Sequence, residues 1–305
     1  MPESVGGVRW LNAFTVDVED YFHVSAFEPF IARSEWNDFQ CRVVSNTYRL
    51  LEILDAFSVK ATFFVLGWVA ERYPKVVHDI HAAGHEIGSH SYWHRLVYSM
   101  SAEEFREDLR RSCSVLSEII GKPIRVYRAP SFSIVRRSLW ALDVLVDEGI
   151  WLDSSVFPIC HDRYGMAQGC MEIHRLQCGS GQLVEYPLPA VDCFGIRVPV
   201  GGGGYFRLYP VWLTKRLLRA INFGRRRPFV FYVHPWEIDP DQPRLPYGSA
   251  VRRWRHYVNL QYTESKLRRL LSVFRFGTIT ESAQQFLRYG GRSGGNASSS
   301  GNPER

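Results

Sequence analysis

Residues 61–89 read ATFFVLGWVAERYPKVVHDIHAAGHEIGS. Residues 61–66 form a short apolar run that ends at a glycine, the length and character of a buried strand. Pro74 suits the first turn of a helix, where its missing N–H would have no partner in any case, and Gly84 suits the residue that ends one. Residues 85–89 are strand-like again. Two strands joined through a helix cannot be a hairpin, so they must lie parallel. The same alternation extends outward on both sides. Residues 11–17 read as a strand, and residues 44–57 as a helix with Leu50, Leu51, Ile53, Leu54 and Phe57 on its inner side. Ser101 with Glu104 makes a capping box that opens a helix ending at Gly121. Strand 124–127, helix 137–148 and strand 150–153 follow. Five strands alternating with four helices predict an α/β fold with a parallel sheet, either doubly wound or closed into a barrel.

The second half is less regular. Residues 158–181 read as a long excursion, 184–188 and 229–233 as strands, and 263–274 as a helix. Gly201, Gly202, Gly203 and Gly204 are expected to be loop, because glycines weaken both helix and strand interiors; no Gly-Lys-Ser/Thr follows that would make a phosphate loop. The Gly- and Ser-rich residues 290–305 are expected to be a disordered tail. Across all 305 residues, 46% apolar and 22% charged content supports a globular body. The longest nearly uncharged apolar stretch, residues 61–70, falls well short of the roughly 20 residues that cross a bilayer. The first ten residues carry no basic segment followed by an apolar run, so no signal peptide is expected and the expected location is cytoplasmic. Six cysteines without a C-x-x-C pair do not make a disulfide scaffold. Lys and Arg number 37 against 31 Asp and Glu, a net charge of +6. The excess gathers at Arg225–Arg227 and among Arg252, Arg253, Arg255, Arg268 and Arg269. Such clusters are usually solvated faces; peripheral contact with an anionic inner membrane is the alternative, and no nucleic-acid-binding pattern accompanies them.

Residues able to do chemistry fall where predicted strands end. Asp17, Glu19 and Asp20 follow the first strand, His90 and His94 the third, Arg128 and Ser131 the fourth, Asp153 and Ser154 the fifth, and His234 the strand 229–233. That rim is where α/β barrels build active sites. Two histidines four residues apart can face one point and, with a carboxylate, hold a metal with positions left open. Taken alone, such a pair is more often structural. Three carboxylates within four residues repel one another unless a cation, an arginine or shared protons relieve them, the alternative being an exposed acidic loop.

Thr15-Val16-Asp17, His90-Ser91-Tyr92-Trp93-His94, Tyr127-Arg128-Ala129-Pro130-Ser131 and Tyr232-Val233-His234-Pro235 resemble, in that order, the motifs of NodB-homology polysaccharide deacetylases of the carbohydrate esterase family 4 type. The wording around them, such as Asp17-Val18-Glu19-Asp20-Tyr21-Phe22-His23 and His234-Pro235-Trp236-Glu237, resembles the subfamily associated with exosortase and exopolysaccharide gene clusters. The resemblance implies a distorted (β/α) barrel of about seven strands. It implies a single catalytic domain over residues 1–289, with the motifs in 11–240 and a family-specific part in 241–289. It also implies a divalent metal, commonly zinc, and the hydrolysis of N-acetyl groups from an exopolysaccharide or its precursor. Carried over residue by residue, it makes Asp17 the base, Arg128 its orienting partner, His234 the acid, and His90 and His94 metal ligands. The common pattern has two adjacent aspartates, and Val18 breaks it here. The third ligand is therefore Asp20 or Glu19, with Asp20 favoured for its shorter side chain. Asp153 is a candidate to hold His234 protonated, with a turn role as its alternative. Pro130, Ser131, Tyr205 and Trp236 are candidates to line the substrate groove. Two rival readings are a hydrolase of small non-peptide amides and a carbohydrate-binding barrel without catalysis.

Overall fold

The computed structural model describes residues 9–161 and 164–290. Apart from Gly290, the expected tail lies outside the described residues. The strands are β1 (Asn12–Val18), β2 (Thr62–Val65), β3 (Glu86–Ser89), β4 (Val126–Tyr127), β5 (Leu152–Asp153), β6 (His174–Cys178), β7 (Gly181–Glu185), β8 (Ala190–Cys193), β9 (Ile196–Pro199), β10 (Val230–Val233) and β11 (Phe276–Gly277). The α-helices are α1 (Val43–Ala56), α2 (Gly67–Arg72), α3 (Pro74–Ala82), α4 (Ala102–Ile120), α5 (Trp140–Asp147), α6 (Gly203–Leu208), α7 (Val211–Arg219), α8 (Ala250–Tyr257), α9 (Leu260–Leu271) and α10 (Ile279–Tyr289).

All seven residues of β1 are buried, because this strand lies between β10 on one side and β2, with β11 at its start, on the other. The main sheet runs β10-β1-β2-β3-β4-β5-β7-β6 and is parallel except for the β6–β7 hairpin. The chain therefore has the α/β fold with a mostly parallel sheet that its alternation predicts. One row of partners crosses six strands: Val18, Val65, Ser89, Tyr127, Asp153 and Glu185. The residues immediately after that row on β1, β3, β4 and β5 are Glu19, His90, Arg128 and Ser154. Parallel pairing alone thus brings the candidate residues to one edge.

No strand ladder joins the two sheet edges among the described residues, so the expected barrel is an open one. Part of the gap is bridged by irregular chain, with Val200 N–H donating to the Pro189 carbonyl at 3.1 Å and Tyr232 N–H to the Gly201 carbonyl at 2.8 Å. The glycine run makes this contact possible. Gly202 has φ +133°, and a Cβ there would sit 1.9 Å from the Tyr232 carbonyl oxygen. The expectation that all four glycines are loop is corrected at Gly203 and Gly204, which form the first turn of α6. A helix's first turn needs few of its own hydrogen bonds, so glycine is tolerated there. Of the hairpins β6–β7 and β8–β9 the sequence pattern gives only the end of β7, within the strand read at 184–188; β6, inside the expected excursion 158–181, and β9 bury at most one residue each.

Gly202→Ala is expected to destabilise the fold by more than about 2 kcal/mol, since both the backbone angle and the backbone contact oppose a side chain. Gly204→Ala has ordinary φ and open space, and is expected to be neutral or stabilising by up to about 1 kcal/mol. Denaturant unfolding of the two variants checks the difference.

Candidate active site

Arg128 is wholly buried at the end of β4. Its Nη1 donates to Asp17 Oδ1 at 2.8 Å and to Thr15 Oγ1 at 2.6 Å, while Nε and Nη2 donate to the carbonyl and hydroxyl of Ser154 at 3.1 and 3.0 Å. The guanidinium joins β1 to the end of β5 and fixes one oxygen of Asp17. The Arg128 carbonyl lies 2.8 Å from His90 Nδ1. A carbonyl can only accept, so His90 carries its proton on Nδ1 and leaves Nε2 as a free lone pair.

The loop from His90 to His94 turns through two positive-φ residues, Ser91 at 70° and His94 at 52°. Asp108 on α4 holds it. Its carboxylate accepts from Ser91 Oγ at 2.5 Å, Tyr92 N–H at 2.7 Å and Trp93 N–H at 3.1 Å. The two imidazoles end with ring centroids 5.4 Å apart. Ser131 and Phe132 also have positive φ, so backbone strain gathers around this edge.

Glu19 is the carboxylate that meets the histidines. Its Oε2 lies 2.7 Å from His94 Nε2, and one ligand atom each from Glu19, His90 and His94 lie within 4.8 Å of one another. Burial opposes its ionisation, but the three surrounding histidines hold its carboxyl well below the usual range. Two imidazole nitrogens and one carboxylate oxygen are donors suited to a catalytic zinc ion. Glu19 Oε2 is buried without a hydrogen bond of good geometry, which also fits a cation at that point. The preference for Asp20 is corrected. Its carboxylate accepts from Tyr21, Arg42 and Val43 N–H at 2.9, 2.7 and 2.8 Å and so caps the start of α1. Val18 ends the strand, and the tight turn closed by Glu19 N–H onto the Asp17 carbonyl sends Glu19 to the site and Asp20 away from it.

His234 approaches from the end of β10. Its Nε2 is 3.4 Å from Glu19 Oε1 and 3.9 Å from Asp17 Oδ2, and its side chain keeps 17% of its surface open. Glu237 Oε2 accepts from the His234 N–H and lies 3.0 Å from His234 Nδ1, while Glu237 Oε1 accepts from Arg207 Nε at 2.8 Å. Burial disfavours the imidazolium, yet Glu19, Glu237 and Asp17 outweigh it and raise its pKa to about 9. The expected role of Asp153 as the partner of His234 is therefore corrected to Glu237. Asp153 instead accepts from Ser155 Oγ at 2.6 Å and faces Glu185, and burial pushes both carboxyls up so that the pair retains a proton. The spacing of His234 and Glu237 is a capping-box spacing, the one sequence signal for Glu237.

The expected groove residues divide. Ser131 and Tyr205 are half-buried, Pro130 is buried, and Trp236 is 4% exposed. Trp236 stacks between His234 and His256 at 5.2 and 4.4 Å and donates through Nε1 to Glu19 at 3.3 Å. With both faces occupied it cannot stack on a sugar, so that expectation is corrected; the ring supports Glu19 and His234.

Residues 36–145 match the family described as Polysaccharide deacetylase, and residues 154–284 match a domain of unknown function, DUF3473. The first match contains His90, His94 and Arg128, and the second contains His234. A peptidoglycan-N-acetylglucosamine deacetylase of Bacillus cereus is 34% identical over 98 residues, 32% of this chain and 36% of that protein. A chitin deacetylase of Pestalotiopsis sp is 36% identical over 90 residues, 28% of this chain and 30% of that protein. The matches thus span about a third of these relatives. The fold is shared with a polysaccharide deacetylase candidate from Mycobacterium smegmatis, at TM-score 0.60 and 20% identity over 99% of this chain and 97% of that one. Residues 36–145 of this chain are thus similar to the polysaccharide deacetylase family.

Glu19→Gln is expected to abolish stoichiometric zinc binding, whereas Asp20→Ala should retain the metal and cost about 1–2 kcal/mol through the lost helix cap. Metal analysis and unfolding of the two proteins separate the roles. In the metal-free protein, Glu237→Gln should move the His234 pKa down from about 9 toward the ordinary histidine value, and Asp153→Asn should not, as read by NMR titration.

Proposed function

We propose that this protein removes acetyl groups from N-acetylated sugars of an exopolysaccharide or its precursor, with a divalent metal, zinc by preference, held by Glu19, His90 and His94. The observation that carries this reading is the convergence of Asp17 and His234 beside that three-residue cluster, His234 Nε2 lying 3.9 Å from Asp17 Oδ2 and 3.4 Å from Glu19 Oε1, with Asp17 fixed by Arg128 and His234 by Glu237. Such a metal, when bound, polarises a carbonyl and acidifies water. Peptidoglycan and chitin deacetylases among the relatives support the reaction class, and the wording of the motifs supports the exopolysaccharide.

The chain's own residues then divide the proton traffic. Asp17 accepts a proton from the attacking water, whose oxygen bonds to the acetyl carbon. Arg128 holds Asp17 Oδ1 and leaves Oδ2 for the proton. His234, its Nδ1 held by Glu237, enters the cycle protonated and donates from Nε2 to the nitrogen as the C–N bond breaks. The products are acetate and a free amine. The proton on Asp17 returns to solvent and His234 is reprotonated.

Asp17→Asn should keep bound metal and lose about 10²–10⁴ in rate, the usual contribution of a general base. His234→Ala should lose more on an N-acetyl sugar than on an activated acetyl ester, whose leaving group needs no proton. Parallel assays on chitin oligomers and an aryl acetate, with metal content measured, test both roles; equal losses on the two substrates would remove His234 as the acid.

A further inference from the structure

The chain leaving His234 first buries Pro235, Trp236, Glu237 and Ile238. After the turn Pro235–Ile238 it runs through residues 239–249 into α8, and between that segment and α8 lies an open groove of about 620 Å³. That volume is within the range that holds drug-sized or oligosaccharide ligands. Its lining includes Arg244, Leu245, Pro246, Arg253, Trp254 and Tyr257. The groove is joined to the site by a series of ring contacts, the first edge-to-face and the next two stacked. Tyr257 contacts His256 at 4.6 Å, His256 contacts Trp236 at 4.4 Å, and Trp236 contacts His234 at 5.2 Å.

The arginines of this region are of two kinds. Arg42 and Arg207 are paired with the buried carboxylates Asp239 and Glu237 and hold the segment in place. Arg244 and Arg253 form no ion pair with a carboxylate among the described residues. Arg244 is exposed, its guanidinium 4.4 Å from the centre of the Tyr257 ring, and Arg253 donates to the Pro246 and Gly248 carbonyls. Trp254, 56% exposed, offers an indole face beside them. An aromatic face takes the apolar side of a sugar ring, and a guanidinium fork takes a carboxylate or phosphate. The surface is concave, which suits a chain laid into it better than the flat face of a bilayer.

We infer that this groove binds an anionic sugar unit of the same glycan whose N-acetyl group is presented at the rim, so that the preferred substrate is an acidic, N-acetylated polysaccharide. The inference rests on the deacetylase reading and adds the charge of the substrate to it. Carboxylate and phosphate would be held by the same groups.

The test is equilibrium binding of the zinc-loaded full chain at low salt. The probes are oligosaccharides of alternating glucuronate and N-acetylglucosamine, neutral N-acetylglucosamine oligomers of equal length, a phosphorylated N-acetylglucosamine oligomer, and vesicles containing phosphatidylserine. The wild type should prefer the acidic oligomers. Arg244→Ala should cut the acidic-over-neutral preference about tenfold, Arg244→Glu should cut it further, and Arg244→Lys should keep most of it. Trp254→Ala should weaken acidic and neutral oligomers alike. The relative effect of Arg244→Lys on the carboxylate and phosphate probes tells which anion the groove favours. A wild type without preference, or a preference unmoved by Arg244→Glu, overturns the inference, as does Arg244-dependent binding of vesicles without oligomers. Arg244-dependent binding of acidic oligomers with no acetate released would instead overturn the deacetylase reading and leave the groove standing.

Discussion

The buried pair of Arg128 and Asp17 is the constraint around which the site is built. Neither charge has water to solvate it, so each depends on the other, and removing one would leave the partner as an uncompensated charge in the interior. Arg128 also needs Thr15 and Ser154 to satisfy its remaining donors, which ties the ends of β1 and β5 to β4. Its carbonyl then sets the tautomer of His90. One residue therefore fixes an oxygen of Asp17 and the tautomer of His90. A loss at Arg128 would be felt in stability and chemistry together.

Around that pair, each reactive side chain is held by a residue on another element. Asp108 on α4 holds the loop between the two histidines, and Glu237 holds His234 while Arg207 holds Glu237. Arg207 also donates to the carbonyls of His256 and Val258, so the second half of the chain braces His234. The region matched by the domain of unknown function is thus more than an appendage, since it supplies His234, its carboxylate partner and the groove beside them.

Much of the fold is legible in the sequence, because the parallel strands β1 to β5 are short, almost wholly buried segments separated by helices with ordinary start and stop signals. The capping box at Ser101 and the stop at Gly121 stand where their residue types place them. Most of the irregular elements between β5 and β10 are not legible, the end of β7 excepted. Their strands are half-exposed, and the contacts that define them, such as Gly202 against Tyr232, join residues far apart in the chain. Trp236 misleads for a related reason: an aromatic beside a reactive histidine reads as a sugar platform until the structure shows His256 on its other face.

The sequence by itself determined which residue types stand at the strand ends, and with them the chemistry available: Asp17, Glu19, Asp20, His90, His94, Arg128 and His234. Only the tertiary structure decided their division of labour. Glu19 and Asp20 are adjacent carboxylates with similar intrinsic acidity, and nothing local ranks them as ligands. The turn after β1 separates them, sending one toward His94 and the other to the backbone N–H groups at the start of α1. Likewise Asp153 and Glu237 are both plausible partners for His234 in the linear chain, but parallel pairing sets Asp153 beside Glu185, while the short turn after β10 folds Glu237 back onto the imidazole. Direction in space, which a chain acquires only when its strands and turns are assembled, chose between groups that chemistry alone left equivalent.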